Sequence, residues 1–308
     1  MTDVTTLEEY GPNVLGVRRA IPAMLELFER YDIHVTWAVV GMLTPPTRTA
    51  LDASLPTQQP QYTDMRYSNY EYLKHANVGP DESRDPYHFG ASLLRLIQSV
   101  PHQEIGSHTF SHYYCTEAGQ TPDDFAADLE AHEVSLRPFN VQARSMVFPR
   151  NQWREEYLPL LRDRGFTSFR GNQDGWVYAS RPRKTEHLGL RLVRLLDAYL
   201  PIFGWHTYTH ERMRRDTFPH NIPASFFFRP YSHTLRFFEP LRLWRMKRAL
   251  THAAHRGEMV HLWWHPHNFG ANTKTNIAHL EAVLKHFAYL RETQSMRSLT
   301  MAELATEL

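Results

Sequence analysis

Short apolar runs rich in β-branched and aromatic residues alternate along this chain with segments whose apolar residues recur at helical spacing, and that alternation admits few folds. The strand-like runs are residues 33–41 (IHVTWAVVG), 103–107 (QEIGS), 145–148 (SMVF), 166–170 (FTSFR), 225–229 (SFFFR) and 259–264 (MVHLWW). Between them lie helical patterns. The first holds Ile21, Leu25 and Phe28, and others cover 91–98, 155–164, 188–199, 241–256 and 276–290. Punctuation supports the boundaries. Thr121-Pro122 opens a helix, Gly165 and Gly257 stop two more, and Thr300 with Glu303 forms a capping box. Apolar strands alternating with helices predict an α/β fold, a parallel sheet covered by helices. With no repeat or linker, residues 1–308 read as one domain. Residues 44–85, rich in Pro, Gln and Tyr and without a sustained period, read as a partly structured insertion.

Composition narrows the function. Lys and Arg total 34 against 33 Asp and Glu, so no basic field favours nucleic acid. The single cysteine, Cys115, allows no internal disulfide and suits a reducing compartment. The first residues, MTDVTTLEEYG, have neither a basic nor an apolar leader segment. No run of about 18 apolar residues predicts a membrane span. A soluble, cytoplasmic protein is the expectation.

In parallel α/β sheets, function collects at the carboxyl ends of strands. Three such ends carry chemistry here: His108 after 103–107, the Pro149-Arg150-Asn151 corner, and His265 after the last apolar run. His108 and His112 stand four apart, a spacing that can present two imidazoles to one metal ion, and imidazole suits Zn²⁺. Among 19 histidines such a spacing also arises by chance, so placement at a strand end is what raises the pair.

Here the residues resemble a known family. GSHTFSH, 106–112, is similar to the H-[ST]-x-x-H metal motif of the polysaccharide deacetylases, also called the NodB-homology family or carbohydrate esterase family 4. HVTWAVVG resembles that family's second strand, SMVFPRNQ stands where its Arg/Pro motif falls, and VHLWWHPHNFG resembles its late strand ending in histidine. The resemblance covers about 13–304. It implies a distorted (β/α) barrel and a divalent metal, most simply Zn²⁺, used to remove acetyl groups from a saccharide. It implies His108 and His112 as metal ligands and His265 as the general acid, with His267 competing for that role. Arg150 is a candidate for orienting a catalytic acid, contacting substrate, or pairing with a surface acid, and Arg229 is a later alternative. Thr109, Tyr113, Asn151, Trp264 and His267 are candidates for substrate contact, although a bond within its own loop competes for Thr109 and core packing for Tyr113 and Trp264. Asp174 with Trp176, and Asp197, could stand for a later Asp/Trp motif. The basic clusters at Arg181 and Arg212 could meet a phosphate or form a solvated face.

One departure is large. The family opens with a strand ending in paired acids, and this chain begins with the helix that would follow it. The first strand is therefore read as absent, with the expectation that it lies upstream; Asp3 has no apolar strand before it and is not assigned the role. Two readings stand: a metal-dependent deacetylase acting on an acetylated saccharide or sugar-linked precursor, and a sugar-binding relative that keeps the pocket without the base. A third, an unrelated zinc hydrolase, is weaker because no H-E-x-x-H helix is present.

Overall fold

The computed structural model describes residues 7–179 and 188–308. Helix α1 (Leu7–Tyr31) leads into β1 (Val35–Val39), and α2 (Arg48–Ala53) and α3 (Asn69–His75) lie within the insertion. Helix α4 (Ala91–Gln98) then feeds β2 (Gln103–Ser107), α5 (Pro122–Leu136) feeds β3 (Ser145–Met146), and α6 (Leu158–Asp163) feeds β4 (Ser168–Gly171). After α7 (Leu188–Asp197) and α8 (His210–Met213) come β5 (His220–Pro223) and β6 (Phe226–Phe227). The chain closes with α9 (Glu239–Arg256), β7 (Leu262–Trp263), α10 (Thr273–Gln294) and α11 (Met301–Glu307).

Strands β1 to β5 form one parallel sheet in chain order, and β6 pairs with β7 in a second parallel sheet. Two consecutive residues join them. The Ala224 N–H donates to the Gly171 carbonyl at 3.0 Å, and the Ser225 N–H donates to the His261 carbonyl at 2.9 Å. The sheets thus share one strand connection and border a common cavity of about 540 Å³. Among the described residues no strand pairs with the outer edge of β1, and none bridges β1 to β7. The parallel α/β architecture read from the sequence is present, as two sheets around a cavity.

Local chemistry explains the boundaries. Thr121 and Asp124 cap α5 reciprocally, with Pro122 at its first position. Gly257 ends α9 in the left-handed conformation, φ 64°, which costs glycine nothing. Strand β3 is shorter than its apolar run, because β2 ends at Ser107, opposite Met146; after Pro149 the chain turns left-handed at Arg150 and Asn151, φ 55° and 54°. Strand β5 was not legible: HNIP carries a histidine, an asparagine and a terminal proline, and becomes a strand by pairing with β4, Ser168 opposite His220.

The main core lies between the sheet and its helices. Phe125, fully buried on α5, meets Tyr157 at 4.7 Å between ring centroids, Tyr113 at 5.4 Å and Phe148 at 6.0 Å. Burying one such ring contributes roughly 2–3 kcal/mol. The other face of the strands points into the cavity, which Thr36, Ala38, His108, Val147, Arg170, Ile222, His261, Trp263 and His265 line. The insertion is not a loose loop. It buries Tyr62, Tyr67, Tyr70 and Leu73 and packs beside the histidine motif.

Candidate active site

Beyond β2 the backbone takes an expensive path. Thr109 and His112 are left-handed at φ 61° and 59°, a conformation that costs a non-glycine residue about 1 kcal/mol or more and persists where surrounding contacts impose it. Asp128, fully buried on α5, supplies those contacts. Its carboxylate accepts from the Phe110 N–H at 2.7 Å, the Ser111 N–H at 3.2 Å, the Ser111 hydroxyl, and the Tyr70 hydroxyl at 2.8 Å. The insertion holds the other side. Asn69 donates to the Ser111 carbonyl at 2.7 Å, and the Tyr62 hydroxyl accepts from the Tyr114 N–H at 2.8 Å.

This frame fixes the two imidazoles. His108 Nδ1 lies 2.6 Å from the Val147 carbonyl. A carbonyl only accepts, so Nδ1 carries the proton and Nε2 keeps its lone pair, the arrangement a metal-binding histidine needs. The His112 ring sits 4.8 Å from that of His108, inclined at 70°, with its Nδ1 3.0 Å from the Tyr114 hydroxyl. Burial pushes the His108 pKa down to about 4 and holds that of His112 well below its ordinary value, helped there by the neighbouring His108. Both rings are therefore neutral at neutral pH and able to donate to a cation.

His265 lines the same cavity as His108 and stacks on His267 at 5.0 Å. Burial lowers His265 to about 3 and His267 to about 4. A neutral His265 can take a proton, but it has none to give until negative charge develops beside it.

The other candidates divide. Arg150 lays its guanidinium over the Tyr114 ring at 4.4 Å and the Tyr67 ring at 5.5 Å, on the His112 side of the site. Asn151 accepts from Arg170 Nη2 at 2.6 Å. Tyr113 does not face a sugar: it is fully buried, and its hydroxyl donates toward Gln120 and the Thr121 carbonyl, so its proposed substrate contact is corrected to a core role. Thr109 is likewise fully buried, and its hydroxyl oxygen accepts from the Tyr113 N–H at 2.7 Å, which assigns it to its own loop. Trp264 packs on Phe28, Phe228 and Phe269 and also lines the cavity, and Trp263 faces Arg170. His267 also meets the Tyr10 ring edge-on at 5.5 Å.

More distant motifs have structural partners. Asp174 pairs with Arg212 at 2.7 Å, and buried Asp197 bonds His206 and Tyr178, each at 2.6 Å. Arg229 is half-buried away from the residues lining the cavity. The Arg181 cluster lies outside the described residues. Sequence reasoning missed Asp128 and Arg170. An acid between the apolar residues Phe125 and Leu129 of α5 was a readable signal for the first; Arg170, closing the apolar run 166–170, was one for the second.

The donor types suit a zinc ion, but a catalytic zinc usually takes three protein ligands. Among the described residues no third His, Cys, Asp or Glu offers a ligand atom within 4.8 Å of both His108 and His112. The one three-member cluster there, Asp32, His34 and His102, precedes β1 and β2, at the opposite strand ends, and its His34 Nδ1 already bonds Glu303 at 2.7 Å.

Comparison with solved structures bears on the fold. A Mycobacterium smegmatis protein of polysaccharide deacetylase type matches 97% of this chain and 78% of its own, with a TM-score of 0.56 at 15% sequence identity. The fold is that of a polysaccharide deacetylase. A carbohydrate esterase family 4 pseudoenzyme from Bacillus anthracis matches at a TM-score of 0.45 and 12% identity, over 93% of this chain and 60% of that one. No family model matches the chain, and no curated protein matches it.

Proposed function

We propose that the protein is a saccharide-directed hydrolase that removes acetyl groups, with His108 and His112 as two ligands of a divalent metal, zinc being the simplest choice. The observation that carries this reading is the His108 tautomer. Its Nδ1 proton is committed to Val147, and its Nε2 lone pair is left on the cavity side of a deacetylase-type fold, next to neutral His112. A bound divalent metal would supply Lewis acidity toward water and an acetyl carbonyl. The two histidines account for part of the ligand set, so no step is derived through the metal. The chain's own contribution is to hold the cavity, to fix both imidazoles through Asp128, and to offer His265 as a proton acceptor that becomes an acid once charged.

The test is acetate release from N-acetylated oligosaccharides supplied with Zn²⁺, Co²⁺ or Mn²⁺. Release that His108→Ala reduces by at least about a hundredfold supports the reading; no release with any metal argues against it.

A second reading, saccharide binding without turnover, is favoured by one observation: among the described residues no His, Cys, Asp or Glu joins His108 and His112 in a three-ligand cluster. It predicts saccharide affinity that survives chelation of metal.

A further inference from the structure

Helix α7 carries Leu192 and Leu196 one turn apart, and the Leu200 N–H donates to the Leu196 carbonyl at 2.9 Å, so the three leucines form one stripe. The stripe faces outward: the three are 46–56% exposed. What α7 buries is an acid. Asp197 bonds the Tyr178 hydroxyl and His206, each at 2.6 Å, and accepts from the Phe203 N–H at 2.9 Å. The apolar surface continues onto the turn before α9 and onto α9 itself. Tyr199 meets Phe238 at 6.1 Å between ring centroids, and Trp205 meets Trp244 at 6.5 Å. Phe237, Phe238 and Trp244 are 46–78% exposed. Six large apolar side chains gathered in this way mark a docking surface rather than scattered surface residues. None of them lines the cavity between the sheets.

The exposed charge on these segments has one sign. Along 188–205 and 236–248 the acids are Asp197 and Glu239, both buried and bonded internally, Glu239 to Arg242 at 2.9 Å. Arg191, Arg236 and Arg248 on the same segments are exposed, and the Arg236 guanidinium lies 4.5 Å over the Phe237 ring. Outward Leu, Phe and Trp side chains accompanied by arginines, with no exposed acid among them, match the headgroup region of a bilayer that holds anionic lipid. A second copy of the chain fits worse. In a two-fold contact the face meets itself and sets the same arginines against one another. Among the described residues no helix is long and apolar enough to cross a membrane, so the contact is a peripheral one. We propose that α7 and the start of α9 dock the protein on an anionic membrane surface.

The experiment is co-sedimentation of the full chain with vesicles of phosphatidylcholine alone and of equal parts phosphatidylcholine and phosphatidylglycerol. Wild type is expected to partition at least about tenfold more onto the anionic vesicles. Leu192→Gln/Leu196→Gln, at exposed positions, is expected to lower that partition at least about tenfold with an unchanged circular-dichroism spectrum. Phe237→Ser/Trp244→Gln, on the other half of the face, is expected to do the same, and it decides the matter if the leucine variant does not fold. Arg191→Gln/Arg236→Gln/Arg248→Gln is expected to erase the difference between the two vesicles. No partition onto anionic vesicles, equal partition onto both, or wild-type partition in both apolar variants overturns the proposal. So does a dimer, seen by sedimentation velocity without lipid, that the leucine variant dissociates, because the face then covers a second copy. Acetate is not measured, so the outcome is independent of the hydrolase reading.

Discussion

At the scale of single residues, one buried carboxylate organises the site. Asp128 satisfies two backbone N–H groups of a loop that holds two left-handed non-glycine residues, so its loss leaves both donors unmet in a buried place. Asp128→Asn keeps the shape but lacks the second acceptor oxygen. It is expected to cost about 1–3 kcal/mol, read from urea denaturation, and to weaken zinc binding by disordering the histidines. Unchanged stability would show that the loop holds itself. The histidine pair was legible in GSHTFSH, because ligand chemistry is local to the motif. Asp128 and Arg170 were not singled out, because their partners arrive from elements far away in sequence. Tyr113, read as a candidate substrate contact and found fully buried, shows the reverse. An aromatic beside a site motif says nothing about which way it points until the strand or loop geometry is known.

At the scale of elements, the insertion acts as a clasp on the histidine loop. Gly119 permits the closest approach: at φ +91°, an added Cβ would stand 2.0 Å from the Gln61 carbonyl. Gly119→Ala is therefore predicted to lose about 1–3 kcal/mol, with faster amide exchange at 59–75 and unchanged exchange in α9 and α10. Protection unchanged at 59–75 would contradict the clasp. Helix ends were readable where caps wrote them, at Thr121, Gly257 and Thr300. Strand lengths were not, since β3 and β7 stop where pairing partners stop. The segment 44–85 read as irregular because its order comes from docking tyrosines rather than from a period.

At the scale of the whole molecule, neutral buried histidines set the acid response. Burial lowers His132 to about 4 and His261 to about 3, below the ordinary value of about 6.5. The unfolded chain therefore binds protons first as pH falls. Stability is full above about 6.5 and declines from there toward the folded values, by about 1.4 kcal/mol per pH unit for each such histidine. His132→Gln, which keeps a donor for the Val39 carbonyl, should flatten the decline between pH 6 and 5 by one proton, measured from denaturation midpoints. An unchanged slope would mean that His132 is charged in the fold. The apolar run ending in His265 read as a buried strand, yet every residue from 258 to 268 is partly exposed. Among the described residues β7 pairs only with β6, and the first strand, read as absent from the sequence, is the one whose place stays open.

The claim on which the rest depends is that His108 and His112 together hold a divalent metal. Zinc stoichiometry of the purified protein, measured by titration in a His102→Ala background that removes the exposed cluster, tests it directly. One zinc per chain, lost in the His108→Ala/His112→Ala double variant, is the predicted result. The same stoichiometry in that variant would contradict the account.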